Sequence, residues 1–112
     1  MDGIPSESEW EVLIDYLDDN NLDVGGKLKE QGLTHWSHPN EEASNSSGFT
    51  ALPAGRRDAI SGKFESLQDF AYFWSTDVSA NSLRNNDSQI ATSSQFNEAG
   101  ISVRCVKIKE ID

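Results

Sequence analysis

NSSGFTALPAGRR, Asn45 to Arg57, is the stretch on which the reading of this chain turns. Gly48 and Gly55 open backbone conformations closed to residues with a Cβ, Pro53 fixes one turn, and Phe49 and Leu52 supply apolar anchors that would bury the segment. The pattern predicts an ordered loop that braces a fold rather than an active site. Arg56 and Arg57 close the stretch and are candidate contacts for an acidic ligand, although local carboxylates compete for them in so acidic a chain. From His35 onward the same Pro, Asn, Ser and Gly composition holds, with Trp36 as a third anchor, so residues 35–57 are expected as one loop pinned at Trp36, Phe49 and Leu52.

N-terminal to that loop the strongest local signal is a helix. Ser6 and Glu9 have the spacing of a capping box behind Pro5, and Trp10, Leu13, Ile14 and Leu17 recur at helical spacing, which predicts a helix over 7–17 with one apolar stripe. The acidic run 18–23 and Gly25-Gly26 end it, and a short second helix is expected over Lys27 to Gln31. C-terminal to the loop, FAYFWS at Phe70 to Ser75 alternates Phe70, Tyr72 and Trp74 with Ala71 and Phe73, a pattern for a central strand buried on both faces. Asp77 to Asn97 is polar and is expected as short strands joined by long loops. Ile101, Val103 and Cys105, then Val106 and Ile108, predict a terminal strand with a bulge or with two buried faces.

The chain's 112 residues suffice for one domain, and a hydrophobic fraction of 36% predicts a thin core closed around three Trp, five Phe and two Tyr. Nineteen acidic and nine basic residues give a net charge of -10, which argues against nucleic acid and anionic membrane surfaces as partners. Cations, sugars and basic protein patches remain. No apolar run approaches the roughly 20 residues of a membrane span, and no signal-peptide core is present in the sequence given, so membrane insertion is not expected. The single Cys105 offers no internal disulfide and, among Val103, Val106 and Ile108, is expected to be buried and inert.

Five segments, IPSESEW, GGKLKEQG, NSSGFTALPAGRR, YFWST and GISVRC, resemble in order and spacing the Fibrobacter succinogenes major paralogous domain, over about Ile4 to Lys107. The resemblance implies an α+β, C-type-lectin-like fold: two N-terminal helices followed by a small, loop-rich antiparallel sheet. It also implies a cell-surface or secreted bacterial protein. Family members carry an upstream segment of strands and a Cys-Pro-x-Gly-Trp-His run where this sequence has Met1-Asp2-Gly3. The expectation is therefore a shortened form in which Cys105 lacks its usual partner and the terminal strand has a bare edge, open to homodimer formation.

The same resemblance shapes the candidate sites. Many C-type lectins hold calcium with a Pro-adjacent Asn and Glu, which singles out Asn40, Glu41, Glu42 and Asn45 after Pro39; the later Trp-Asn-Asp motif of those lectins is missing. Calcium is the only cofactor this suggests. Asp19, Asn21, Asp23 and Glu30 fit four positions of an EF-hand template, but Val24 stands where the turn glycine belongs. His35, His38 and Glu41 could hold a transition metal. Trp36, Tyr72 and Trp74 could stack on a sugar if exposed, though Trp74 is expected in the core. Arg84, Asn85 and Asn86, in the polar 77–97 stretch, join Arg56 and Arg57 as candidate ligand contacts. No Ser-His-Asp or Cys-His arrangement stands out, so the expected function is a non-enzymatic binding or adhesion module for carbohydrate or protein, with a purely structural domain as the alternative.

Overall fold

The computed structural model describes residues 2–18, 23–77, 79–94 and 99–107. The capping box opens helix α1, Glu7–Leu17: the Glu9 N–H donates to Ser6 Oγ (3.2 Å) and the Ser6 N–H donates to Glu9 Oε1 (3.1 Å). Trp10 and Leu17 are buried, Leu13 and Ile14 pack half-buried beside them, and Val12 and Tyr16 face outward.

The second helix, α2, runs Val24–Leu28, three residues ahead of its expected start. Five residues cannot hold a helix unaided. The NSSGFTALPAGRR loop supplies what is missing, because its start wraps the C-terminal end of α2. Ser44 and Asn45 N–H groups donate to Gly26 O, Ser47 donates to Lys27 O from both its N–H and its hydroxyl, and the Ala51 N–H donates to Leu28 O. The carbonyls orphaned at the helix end thus all find donors. Gly25 and Gly26 are needed for close approach: a Cβ on either would overlap the backbone carbonyl of Gln89 or of Glu42.

Lys29 follows, and it is fully buried. Its Nζ donates to Glu41 O (2.9 Å), Arg84 O (2.9 Å) and Asp87 O (3.0 Å), and lies 5.5 Å from the centre of the Trp36 ring. Three ammonium protons meet three carbonyls. Trp36, also buried, donates through its indole N–H to Ala51 O (3.0 Å).

The strands are β1 (Asp2–Gly3), β2 (Arg56–Arg57), β3 (Phe64–Glu65), β4 (Phe70–Trp74), β5 (Ser79–Arg84), β6 (Ala91–Ser94) and β7 (Val106–Lys107), forming antiparallel sheets β1-β7, β2-β3 and β4-β5-β6. The architecture is therefore a small α+β domain with two helices and antiparallel sheets. Its core gathers Trp10, Leu28, Trp36, Ala51, Ala71, Phe73 and Leu83.

Several expectations are corrected. The central strand is β5, not the FAYFWS strand; the far edge of β4 is instead met by Gly55, whose N–H donates to Phe70 O, and by Ser102, which exchanges hydrogen bonds with Tyr72 and Trp74. Ala71 and Phe73 are buried, whereas Phe70, Tyr72 and Trp74 are only half-buried, so β4 has one core face and one outer face. Leu52 is exposed and Ala51 takes its place in the core.

Within the 77–97 stretch the expected short strands are β5 and β6, joined by the turn at 85–90, but β5 is more buried than its polar composition suggests. Ala80, Asn81, Ser82 and Leu83 of β5 are buried, and the polar ones find partners: Asn81 donates to Glu7 Oε1 (2.9 Å) and accepts from Thr92 Oγ1 (2.9 Å). Gly100 and Ser102 make isolated bridges, to Arg57 and Phe73, residues 103–105 form no strand, and β7 pairs with β1. The edge expected to be bare thus carries Asp2–Gly3 at those positions. Val78, Phe96, Asn97 and Ile108 lie outside the described residues.

Lys29→Met should destabilise the domain by about 3 kcal/mol or more in urea unfolding, since three buried carbonyls lose their donor. Burial pushes the Lys29 pKa below the ordinary 10.5, against the raising influence of Asp87 and then Glu41. Between the depressed folded value and 10.5 the unfolded chain holds more protons, so stability should rise with pH across that window in the wild type relative to Lys29→Met.

Candidate functional site

The outer face of β4 is where candidate residues from distant parts of the sequence meet. Strand alternation places Phe70, Tyr72 and Trp74 on that face, and the β4-β5 register sets Phe70 opposite Arg84 and Tyr72 opposite Ser82. The Phe70 and Tyr72 rings stack with centroids 5.3 Å apart and planes 8° apart. The Arg84 guanidinium lies 5.2 Å over Phe70, and that of Arg56 lies 6.0 Å over Tyr72. The result is a ladder of cation, ring, ring, cation. Trp74 continues the row, and among the described residues no other ring and no cation covers it.

Arg56 reaches the ladder from the β2-β3 hairpin, where it also pairs with Glu65 (3.4 Å) and more loosely with Asp58 (3.9 Å). Asp58 organises the hairpin turn by accepting from the N–H groups of Ser61 (2.8 Å) and Ile60 (3.1 Å). Arg57 is exposed; its Nε donates to Gly62 O (3.2 Å), and its backbone exchanges hydrogen bonds with Gly100. Beside it a cleft of about 280 Å³ opens between residues 54–57, Phe64 and residues 100–102. Phe64 and Ile60 are 83% and 84% exposed, so this hairpin presents apolar surface to solvent.

Of the sequence candidates, the structure thus brings Arg56 and Arg84 to one face and leaves Arg57 on the adjoining cleft. Asn85 is occupied in bracing: its side chain donates to His38 O and its N–H to Asp69 O. Asn86 is exposed on the turn after β5. Trp74, expected in the core, is half-buried on the ladder face, while Trp36 is a core residue and not a sugar platform.

The calcium candidates do not converge. Asn40 is buried with its amide donating to Glu30 O and Gly32 O, and its Oδ1 has no protein partner; Glu41 and Glu42 point outward; Asn45 is tied to Thr50 at both ends of its amide. Of the EF-hand set, Asp19 and Asn21 lie outside the described residues, and Glu30 faces His35 Nδ1 at 2.9 Å. Among the described residues no group of three or more His, Cys, Asp or Glu side chains is arranged to hold a metal. Cys105 corrects another expectation: it is exposed, on the rim of a second cleft beside Pro5 and Trp10. No helix of the described residues is long and apolar enough to cross a membrane.

The family model described as the Fibrobacter succinogenes major domain matches residues 3–107, nearly the whole chain and all five segments singled out above. The chain belongs to that family. No curated protein and no solved structure matches it. The NSSGFTALPAGRR stretch, here called the signature loop, has the bracing role its glycines and proline suggest: Gly48 and Gly55 have φ of 76° and 66°, and a Cβ on Gly55 would overlap the Glu65 carbonyl. The pairing of Phe70 with Arg84 escaped sequence reasoning because it depends on a hairpin register; the period-two aromatics were visible, but not which cation stands opposite.

Hydrogen bonds from the Ser61 backbone, then from its hydroxyl and the Ile60 N–H, together with Arg56, hold the Asp58 carboxyl below the ordinary 3.8. A depressed carboxylate contributes stability that is present above the unfolded value and lost as pH falls through the folded one. An NMR titration of Asp58 should give a midpoint below 3.8, and Asp58→Asn should speed amide exchange at Ser61; a midpoint at or above the ordinary value contradicts the turn.

Proposed function

We propose that this domain is a C-type-lectin-like, non-enzymatic binding or adhesion module of a surface or secreted bacterial protein, and that it contacts carbohydrate on the outer face of β4. The reading is carried by one observation: a row of half-buried aromatic rings, Phe70, Tyr72 and Trp74, flanked by Arg56 and Arg84. Trp74 offers a ring for a sugar's C–H face. The Arg84 guanidinium, stacked through its flat side on Phe70, keeps in-plane N–H donors for hydroxyl or carboxylate oxygens, while Arg56 is held against Tyr72 and Glu65. In a chain of charge -10, Arg56 and Arg84 bring two basic side chains to this face, with Arg57 on the adjoining cleft.

The polar groups inside the fold support a binding rather than a catalytic role. Ser79, half-buried, donates to Glu7 Oε1 (2.6 Å), and its neighbours there are Ser75 and Asn81 rather than a histidine. His35 is turned toward Glu30 instead. The Glu7 carboxylate is shared between Ser79 and Asn81 as a structural acceptor, and no histidine stands beside Ser79 in the role of base.

A glycan array on the folded domain, run with and without calcium, tests the reading. Binding should be retained without calcium. Trp74→Ala and Arg84→Ala should each weaken it by about tenfold, with Arg84→Ala leaving the melting temperature nearly unchanged. Clean absence of binding to every glycan by well-folded protein would instead assign the domain a structural or assembly role.

A further inference from the structure

A second cleft, sharing no residue with the β4 ladder, has the chemistry of a ligand site. It measures about 200 Å³ and lies between the start of α1, the signature loop and the segment after Ser102. Pro5, Trp10, Leu13 and Phe49 line it with apolar surface, and Arg104 and Glu9 supply its charged groups. The volume is below the roughly 300–1,000 Å³ of sites for drug-sized ligands, so it admits one ring with a short polar arm.

Arg104 decides what that arm should be. Its guanidinium lies 4.0 Å over the Phe49 ring and donates from Nη2 to Phe49 O (2.7 Å). That contact fixes the plane and uses one of five N–H donors. Among the described residues no carboxylate pairs with it, although acidic residues outnumber basic ones nineteen to nine. Glu9, the acidic group of the same cleft, is committed through Oε1 to the Ser6 N–H of the capping box. An exposed guanidinium seated on a ring, tied by one N–H and without a carboxylate among the described residues, is arranged to receive one bidentately.

We propose that this cleft binds a small aromatic carboxylate, the ring seated against Leu13, Trp10 and Phe49 and the carboxylate on the Arg104 guanidinium. The carboxylate can belong to a free aromatic acid or to the C-terminal aromatic residue of a polypeptide. The site stands apart from the carbohydrate reading, and failure on a glycan array leaves it untouched.

The test is a heteronuclear NMR titration of the full chain at low salt with four probes: N-acetyl-phenylalanine, its amide, N-acetyl-alanine and glycyl-glycyl-phenylalanine. N-acetyl-phenylalanine should give saturable shifts at the Trp10 indole N–H and the Arg104 Nε–H. The amide, lacking the charge, should bind about tenfold or more weakly, and N-acetyl-alanine, lacking the ring, should not saturate. A tripeptide binding as tightly as the single residue assigns the site to chain ends; weaker tripeptide binding assigns it to free acids. Arg104→Gln should make acid and amide equivalent, Arg104→Lys should restore part of the preference, and Leu13→Trp should fill the cleft and abolish binding. Should the variants fail to fold, the comparison of probes on the native chain decides alone. Equal affinity for acid and amide, or no saturation at millimolar concentrations, overturns the proposal.

Discussion

The buried ammonium of Lys29 is the constraint around which the rest of the domain is arranged. Glu41, Arg84 and Asp87 belong to three separate segments, and each turns a carbonyl toward the same nitrogen. A charge taken from water into a fold is costly unless every proton finds an acceptor. Here the requirement draws the 37–45 loop, the end of β5 and the turn after it onto the C-terminal end of α2. The two glycines ahead of Lys29 make the approach feasible, since side chains there would collide with the backbones of Gln89 and Glu42. Helix, signature loop and central strand are therefore interdependent, although the helix has only five residues.

That dependence explains which features could be read from the sequence. Helix α1 was legible to the residue because its signals are local: a capping box and an i, i+3, i+4, i+7 stripe. The bracing role of NSSGFTALPAGRR was legible for the same reason, since glycine adopts positive φ most readily and Gly48 and Gly55 do so, although Asn45 and Thr50 of the same loop adopt it too. Lys29 was not. In GGKLKEQG nothing distinguishes it from Lys27, whose side chain reaches back to Leu17 O (2.6 Å), because burial of a lysine is decided by carbonyls far away in sequence. The polar composition of β5 misled in a related way. Asn81, Ser82 and Ser79 look like loop residues, yet the Glu7 carboxylate takes Ser79 and Asn81, Thr92 of β6 donates to Asn81, and Ser82 donates to the Ala91 carbonyl.

The candidate ligand residues divide along the same line. Arg56 and Arg57 stood out by their place at the end of the signature loop, and the structure puts both on open surface next to β4. Arg84 gained its meaning only from its register opposite Phe70. Asn85, chosen for its side-chain chemistry, braces the His38 carbonyl instead. Arg104 drew no notice within GISVRC, because its partner, Phe49, lies 55 positions away.

A single physical device recurs in these positions. Three of the four arginines lie over aromatic rings, Arg56 on Tyr72, Arg84 on Phe70 and Arg104 on Phe49, and Lys29 lies over Trp36. Each exposed contact of this kind contributes about 0.5–1 kcal/mol. The contribution to binding is geometric rather than energetic. A carboxylate partner would occupy the in-plane N–H donors and neutralise the charge, whereas a ring takes the flat side and leaves the edge free. Rings hold Arg84 and Arg104 in place with no carboxylate on them among the described residues, whereas Arg56 combines its ring with Glu65 and Asp58. Lys29 has no such edge to spare, because its three protons are already committed to the fold. The same pairing of cation and ring therefore serves stability where the cation is buried, and keeps donors available where it is exposed.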